Sequence, residues 1–287
     1  TLARVPVRAS TKHGFNEFRD HRVFGAADRA VARLTDLHIA ISAGLARYLA
    51  ERERLDEQRF EVVHYGIEPG QAPPPPPPGR PRLAIVGRLI PIKGHAVLLE
   101  ALAAARRSVP ELTLEIAGEG ALEPELRSLV TRLGLDDAVS FLGRVAPPGP
   151  VLERAEIVVV PSFGEGFGMV ALESMERGRA VIASAVGGLP EIVADDATGL
   201  LVPSGDVEAL RRAIVELAGD PARTAAMGTA GRARALEAFS QERCTERIEE
   251  LYVVAADRRS RTRRTRRTSR SSANAASSPS TKSHGTR

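Results

Sequence analysis

From residue 82 onward, short apolar runs alternate with longer amphipathic stretches, and this alternation limits the fold more than any other feature of the chain. The runs are Leu83 to Val86, Leu112 to Ala117, Val139 to Leu142, Ile157 to Val160, Ala180 to Ala183 and, less marked, Gly199 to Val202. Each has the length of a buried strand. The stretches His95 to Ser108, Glu123 to Leu133, Met169 to Arg177, Val207 to Ala218 and Pro221 to Glu237 read as helices. Strands alternating with helices over this many repeats build a parallel sheet covered on both faces. The expectation is therefore a doubly wound α/β domain whose ligands sit beyond the carboxyl ends of the strands.

The preceding stretch has the same character on a smaller scale. Val5 to Ser10, Leu37 to Ile41 and Phe60 to Val63 read as strands, and Phe24 to Leu34 reads as a helix. Ser42 has the chemistry of an N-cap for a further helix with Leu45, Tyr48 and Leu49 on one face. This segment is too short to be a complete domain, and a chain that starts at Thr1 on a strand-like stretch is expected to continue upstream. The unbroken proline run Pro73 to Pro78 has no N–H to give a sheet. It reads as an extended linker, with a ligand for an SH3-type groove as the alternative. A last helix, Gln241 to Ala255, follows Ser240 as its candidate N-cap. The expected division is residues 1–68, a linker over 69–80, a domain over 81–237, a helix over 238–256 and a tail over 257–287.

Composition narrows the function classes. Cys244 is the single cysteine, which excludes an intrachain disulfide and a cysteine-rich metal site and fits a reducing, cytoplasmic setting. No apolar run approaches the ~18 residues of a membrane span. Arg4 and Arg8 interrupt the start of the chain too early for a secretory signal. From Arg258 onward there are nine Arg, one Lys and no acid, and taking these ten cations from the formal net charge of +4 leaves −6 for the rest. The basicity belongs to the tail, so no specific nucleic acid is expected as a partner. With almost nothing apolar to bury, the tail is expected to be disordered and solvated, with weak contact to anionic lipid or, without specificity, to nucleic acid as the alternative.

Three loops, each following an apolar run, carry candidate chemistry. Gly87-Arg88-Leu89 with Lys93-Gly94 sets a planar fork and a point charge before a helix N-terminus, both suited to phosphate oxygens. The competing reading is a pair of solvated surface cations. Pro161 to Glu173, PSFGEGFGMVALE, runs from a buried strand through three glycines into a helix N-terminus, with Glu165 in the loop and Glu173 one or two turns inside the helix, facing the same cleft. Val186-Gly187-Gly188-Leu189-Pro190-Glu191 is a third flexible loop at the same edge, weak as a motif by itself.

In combination with Gly118-Glu119-Gly120, and with AVIASAVGGLPEIV followed by GLLV, these loops give an ordered set that is far more specific than its parts. From about Arg4 to Ala255 the chain resembles the retaining nucleotide-sugar glycosyltransferases of family 4, the glycosyl transferases group 1. The resemblance implies a GT-B fold, with a doubly wound Rossmann-like C-terminal domain and a partial, N-terminally truncated Rossmann-like domain before it. It implies transfer of a sugar from a UDP- or GDP-sugar to a glycan, lipid or small-molecule acceptor, with no metal and no cofactor. The protein would then be cytoplasmic or peripheral at the inner face of a membrane.

By the same resemblance Arg88 and Lys93, beside Gly87, hold the donor diphosphate, and Glu173 bonds the ribose. Glu165 orients the donor sugar, with the backbone of Phe167, Gly168 and Met169 nearby. Arg144 and Val145 lie at the turn that meets the base, and His13 sits beside the anomeric carbon. The implied catalytic set is His13, Arg88, Lys93 and Glu165. His64-Tyr65 stands before Gly66 where Pro-Asn is common, and Arg179 where Pro is common. The family's glycine-rich N-terminal loop is not in the sequence, which leaves a non-catalytic nucleotide-sugar-binding or interaction module as the alternative.

Overall fold

A computed structural model describes residues 5, 7–14, 22–71 and 81–276, except the side chains of 22–24 and 260–276. The proline run at 73–78, most of the expected linker and the end of the tail lie outside the described residues. The chain opens with a small parallel unit: β1 (Ala9–Lys12), α1 (Arg22–Leu34), β2 (Leu37–Ala40), α2 (Ala43–Glu53) and β3 (Phe60–Val62). Its strands lie in the order β1-β2-β3, with His38 of β2 opposite Ser10 and Phe60. β2 is buried along its whole length, as a strand covered on both faces must be. Ser42 caps α2, its Oγ accepting the Leu45 N–H at 3.0 Å. β1 begins at Ala9, later than the apolar pattern from Val5 suggests. The Arg8 N–H is taken by the Asp36 carboxylate at 3.1 Å, so the ladder starts only beyond it.

Six strands form the second sheet: β4 (Arg82–Val86), β5 (Thr113–Ala117), β6 (Val139–Gly143), β7 (Ile157–Val160), β8 (Ala180–Ser184) and β9 (Gly199–Val202). Their order is β6-β5-β4-β7-β8-β9, all parallel, and the progression reverses between β4 and β7. Helices α3 (His95–Ala105), α4 (Glu123–Arg132), α5 (Gly149–Arg154), α6 (Met169–Glu176), α7 (Leu189–Ile192), α8 (Val207–Gly219) and α9 (Pro221–Ala238) surround the sheet. The two-residue period of the strands feeds two apolar layers. Leu83, Ile85, Ile157, Val159 and Ile182 join α3, α4 and α8 in one. Ala84, Val158, Val160, Val181 and Ala183 join α5, α6 and α7 in the other. α5 has no counterpart among the expected elements. Its opening residues, Gly149-Pro150 after Pro148, look like a loop, yet proline is tolerated in a first turn where no N–H is needed.

The second layer runs on into the small unit, because Ile41, Leu45, Leu49 and Phe60 share one apolar cluster with Phe167 and Phe239. The chain crosses between the sheets at two adjacent points, where the Ile67 N–H donates to the Phe239 carbonyl at 2.8 Å and the Gln241 N–H to the Ile67 carbonyl at 3.2 Å. After the second crossing α10 (Gln241–Ala276) returns to the small sheet. The Ser240 Oγ accepts the Arg243 N–H at 3.2 Å at its start. Leu251 packs with Leu37, Ile39 and Val63, and Arg247 pairs with Glu61 at 3.2 Å. α10 continues past Ala255, and over residues 257–276 it replaces the expected disorder with helix. That segment contains neither Pro nor Gly, the next being Pro279, and its Arg and Ala residues are good helix formers.

Leu251→Ala removes the side chain by which α10 grips the small sheet and leaves the Arg247–Glu61 pair in place. The expected cost is about 2–5 kcal/mol, read by urea denaturation, with amide exchange rising first in β1 to β3. Equal acceleration in both sheets would show that α10 does not secure the small sheet selectively.

Candidate functional site

The loops after β4 and β7 leave neighbouring strands at the point where the sheet order reverses. Their side chains meet there, with Lys93 Nζ 2.6 Å from Glu165 Oε2. The loop after β4 tightens into a single 3-10 turn, Pro91–Lys93, that ends at Gly94 with φ 71° before α3 begins. A Cβ on Gly94 would lie 2.0 Å from the Pro161 carbonyl oxygen, so only glycine lets the N-terminus of α3 approach the loop after β7 this closely. The Phe163 N–H closes that contact on the Ile92 carbonyl at 2.8 Å.

Glu165 is held from the other side by the third sequence motif. The Gly188 N–H donates to the Glu165 carbonyl at 3.1 Å, and a Cβ on Gly187, at φ 56°, would stand 1.7 Å from the same oxygen. Ser162 Oγ donates to Glu165 Oε2 at 3.3 Å. Lys93 is thus held in place by the Glu165 carboxylate.

Two cavities open around this ion pair, between the two sheets. The larger, of 420 Å³, is lined by Lys12, His13, Arg88, Lys93 and Glu165 among others, so basic side chains outnumber the carboxylate. Lys12 is taken by Glu53 at 2.9 Å and Lys93 by Glu165, whereas Arg88 is exposed and forms no ion pair with any described residue. The smaller cavity, of 190 Å³, is lined by Ile41, Tyr65, Val86, Phe167, Gly168 and Met169 among others. His13, Lys93 and Glu165 border both cavities.

The structure therefore brings together His13, Arg88, Lys93 and Glu165, with Phe167, Gly168 and Met169 beside them. Gly87 backs Lys93, a Cβ there falling 3.8 Å from Lys93 Cδ. Arg144, Val145 and Glu173 line neither of these two cavities. Arg144 and Val145 follow β6, two strands out from β4, and the intervening loops are joined by Gly87 N–H to Ala117 carbonyl at 2.9 Å and Gly118 N–H to Gly143 carbonyl at 2.7 Å. Glu173 lies one helical turn beyond Met169 on α6 and is half-buried. Burial pushes its carboxyl above the ordinary range; Arg177 opposes this and Glu176 adds to it.

Sequence reasoning gave no role to Lys12, Ser162, Tyr65 or Glu191. The Glu191 carboxylate accepts the Ala43 N–H at 2.9 Å and the Gly44 N–H at 3.0 Å, capping α2 from the other sheet, and lies 2.8 Å from His64 Nε2. Ser42 Oγ donates to the Gly166 carbonyl at 2.6 Å in the same seam. Burial by itself would raise the Glu191 carboxyl, but the bonds from His64, Ala43 and Gly44 outweigh it and hold the group below the usual carboxylate range. These partners of Glu191 are all more than a hundred residues away in the chain. Among the described residues, no group of three or more His, Cys, Asp or Glu is placed to hold a metal ion, and no helix is long and apolar enough to cross a membrane.

The family of glycosyl transferases group 1 matches residues 80–220. The D-inositol 3-phosphate glycosyltransferase of Streptomyces avermitilis is 33% identical over 256 residues, which cover 82% of this chain and 53% of that protein. The chain belongs to the group 1 glycosyl transferases. Another relative, the alpha-maltose-1-phosphate synthase of Mycolicibacterium smegmatis, is 35% identical over 260 residues, or 81% of this chain and 66% of that one. The chain thus spans between half and two thirds of these relatives. Among solved structures, the Anabaena protein HepE in complex with UDP superposes with a TM-score of 0.79 at 24% identity, over 88% of this chain and 73% of that one. Sucrose-phosphate synthase from Thermosynechococcus elongatus does so with a TM-score of 0.73 at 28% identity, over 85% and 66%. The family's GT-B fold is the architecture described above.

The two shifted glutamates predict opposite effects of neutralisation. The low Glu191 carboxyl contributes stability above the ordinary carboxylate pKa that is lost as pH falls through its own lower value. Glu191→Gln should therefore lower Tm at pH 7 and converge with wild type in acid. The raised Glu173 carboxyl loses stability as pH rises from the ordinary carboxylate pKa through its own higher value, so Glu173→Gln should raise Tm at pH 7 and converge with wild type in acid. Scanning calorimetry from pH 3 to pH 8 checks both signs.

Proposed function

We propose that the chain is the donor-binding part, with a portion of the acceptor side, of a retaining glycosyltransferase that takes a sugar from a UDP- or GDP-sugar. In this reading residues 81–237 hold the donor, residues 1–68 face the acceptor, and 69–80 link the two. The supporting observation is the meeting of Arg88, Lys93 and the α3 N-terminus with Glu165 at the sheet reversal point, bordered on the far side by His13. The resemblance to HepE bound to UDP supports a uridine nucleotide as the first donor to try. The relatives named for D-inositol 3-phosphate and maltose-1-phosphate make a phosphorylated small molecule the first acceptor class to try, ahead of a glycan or lipid.

Cleaving the bond between the anomeric carbon and its phosphate oxygen sends the electron pair to the departing diphosphate and leaves positive charge on the sugar. Arg88, Lys93 and the free N–H groups of α3 lie where that diphosphate would rest, so the growing negative charge meets cations and dipoles already in position. A diphosphate displaces the Glu165 carboxylate from Lys93, freeing Glu165 to accept from sugar hydroxyls. The acceptor hydroxyl attacks the face the diphosphate leaves and passes its proton to the leaving phosphate, which retains the anomeric configuration. Glu173, already costly as a half-buried anion, gains hydroxyl donors from the ribose in this reading, and Arg144 and Val145 meet the base.

A thermal-shift panel of UDP-, GDP- and ADP-sugars tests the donor site. Saturation at 100-fold above Kd stabilises by about 2.7 kcal/mol, a Tm rise of several degrees for a chain of this size. Arg88→Ala and Glu173→Ala are expected to lose most of that rise. No response from any nucleotide sugar, or an equal response in both variants, refutes the donor site; a donor that binds but is never transferred refutes the transferase. Where transfer is measured, Lys93→Ala is expected to lower kcat/KM by about 10²-fold or more, the scale for removing one preorganised charge stabiliser.

A further inference from the structure

We propose that Tyr65 is a positioning residue that fixes the imidazole of His13 so that its Nε2–H is the nitrogen presented to the cavities; the kinetic consequence rests on the reading of His13 above. His13 Nδ1 is in a short hydrogen bond with the Tyr65 hydroxyl, and the two rings stack with centroids 5.8 Å apart at 11°. The partners differ in how firmly they are held. His13 is an exposed residue just beyond the end of β1, an edge strand of the small sheet. Tyr65 stands at the crossing between the sheets, packed edge-on against Phe167 at 5.6 Å, with Phe167 itself against His64 and Phe239. The next residue, Gly66, is so close to the second crossing that a Cβ would fall 2.4 Å from Gln241 Cα. Tyr65 is therefore the fixed member, and His13 takes its orientation from it.

The direction of the hydrogen bond follows from the chemistry of the two groups. A phenol is a good donor and a weak acceptor, because its oxygen lone pair is delocalised into the ring, whereas an unprotonated imidazole nitrogen is a strong acceptor. Burial also pushes the Tyr65 hydroxyl up from its ordinary value, with Cys244 adding, which keeps its proton in place. Tyr65 donates, Nδ1 accepts, and neutral His13 carries its proton on Nε2. His13 borders both cavities beside Lys93 and Glu165, so this Nε2–H is available to an oxygen of a bound sugar.

Tyr65→Phe keeps the ring packing and removes the hydroxyl. Long-range ¹H–¹⁵N NMR on the intact protein, with the His13 signals assigned by their loss in His13→Asn, should show a single Nε2–H tautomer in wild type and a mixture of tautomers in Tyr65→Phe. With UDP-glucose as donor, kcat should fall about tenfold while the donor KM stays within twofold. An Nδ1–H tautomer in wild type, identical ring signals in both proteins, or an unchanged kcat overturns the proposal. The tautomer arm needs no turnover: if it behaves as expected while wild type transfers no sugar, the transferase reading fails and the Tyr65–His13 assignment stands.

Discussion

The pairing of β4 with β7 is the constraint on which the site depends. The two strands are neighbours, yet α3 leaves β4 into one apolar layer and α6 follows β7 into the other. The loops must part above the sheet, and a crevice opens where they separate. Into it project the N-terminus of α3, the cations at positions 88 and 93 and the carboxylate at 165. The close approach of Gly94 to Pro161, and of Gly187 to Glu165, turns this topological opening into a defined geometry.

The seam between the two sheets joins an apolar layer to a small set of satisfied polar contacts. Phe167 and Phe239 extend the core across it, while Ser42, His64 and Glu191 supply bonds that hold α2 against the loops after β7 and β8. The two half-buried glutamates differ in kind. Glu191 is a settled structural anion whose bonds outweigh the cost of its burial, and Glu173 carries that cost without a full set of partners.

Much of this was legible in the sequence. Strand and helix identities followed from spacing, because an apolar run of four to six residues between amphipathic stretches admits few other local structures. The caps at Ser42 and Ser240 were visible for the same reason: a cap and its N–H partner are three residues apart. Arg88, Lys93 and Glu165 stood out because each follows a strand, and parallel strands place all such loops at one edge. What escaped were α5, hidden by its prolines, the full length of α10, and the start of β1, which a carboxylate 28 residues away decides.

The sequence by itself determined the fold class and which loops gather at the carboxyl edge of the sheet, since both follow from local pattern and chain order. Only the tertiary structure decided that Glu191 caps a helix of the other sheet, that Lys93 rests on Glu165, and that Tyr65 holds His13. Those contacts join residues 52 to 148 positions apart, and no local spacing encodes which side chains will face one another once two sheets are brought together.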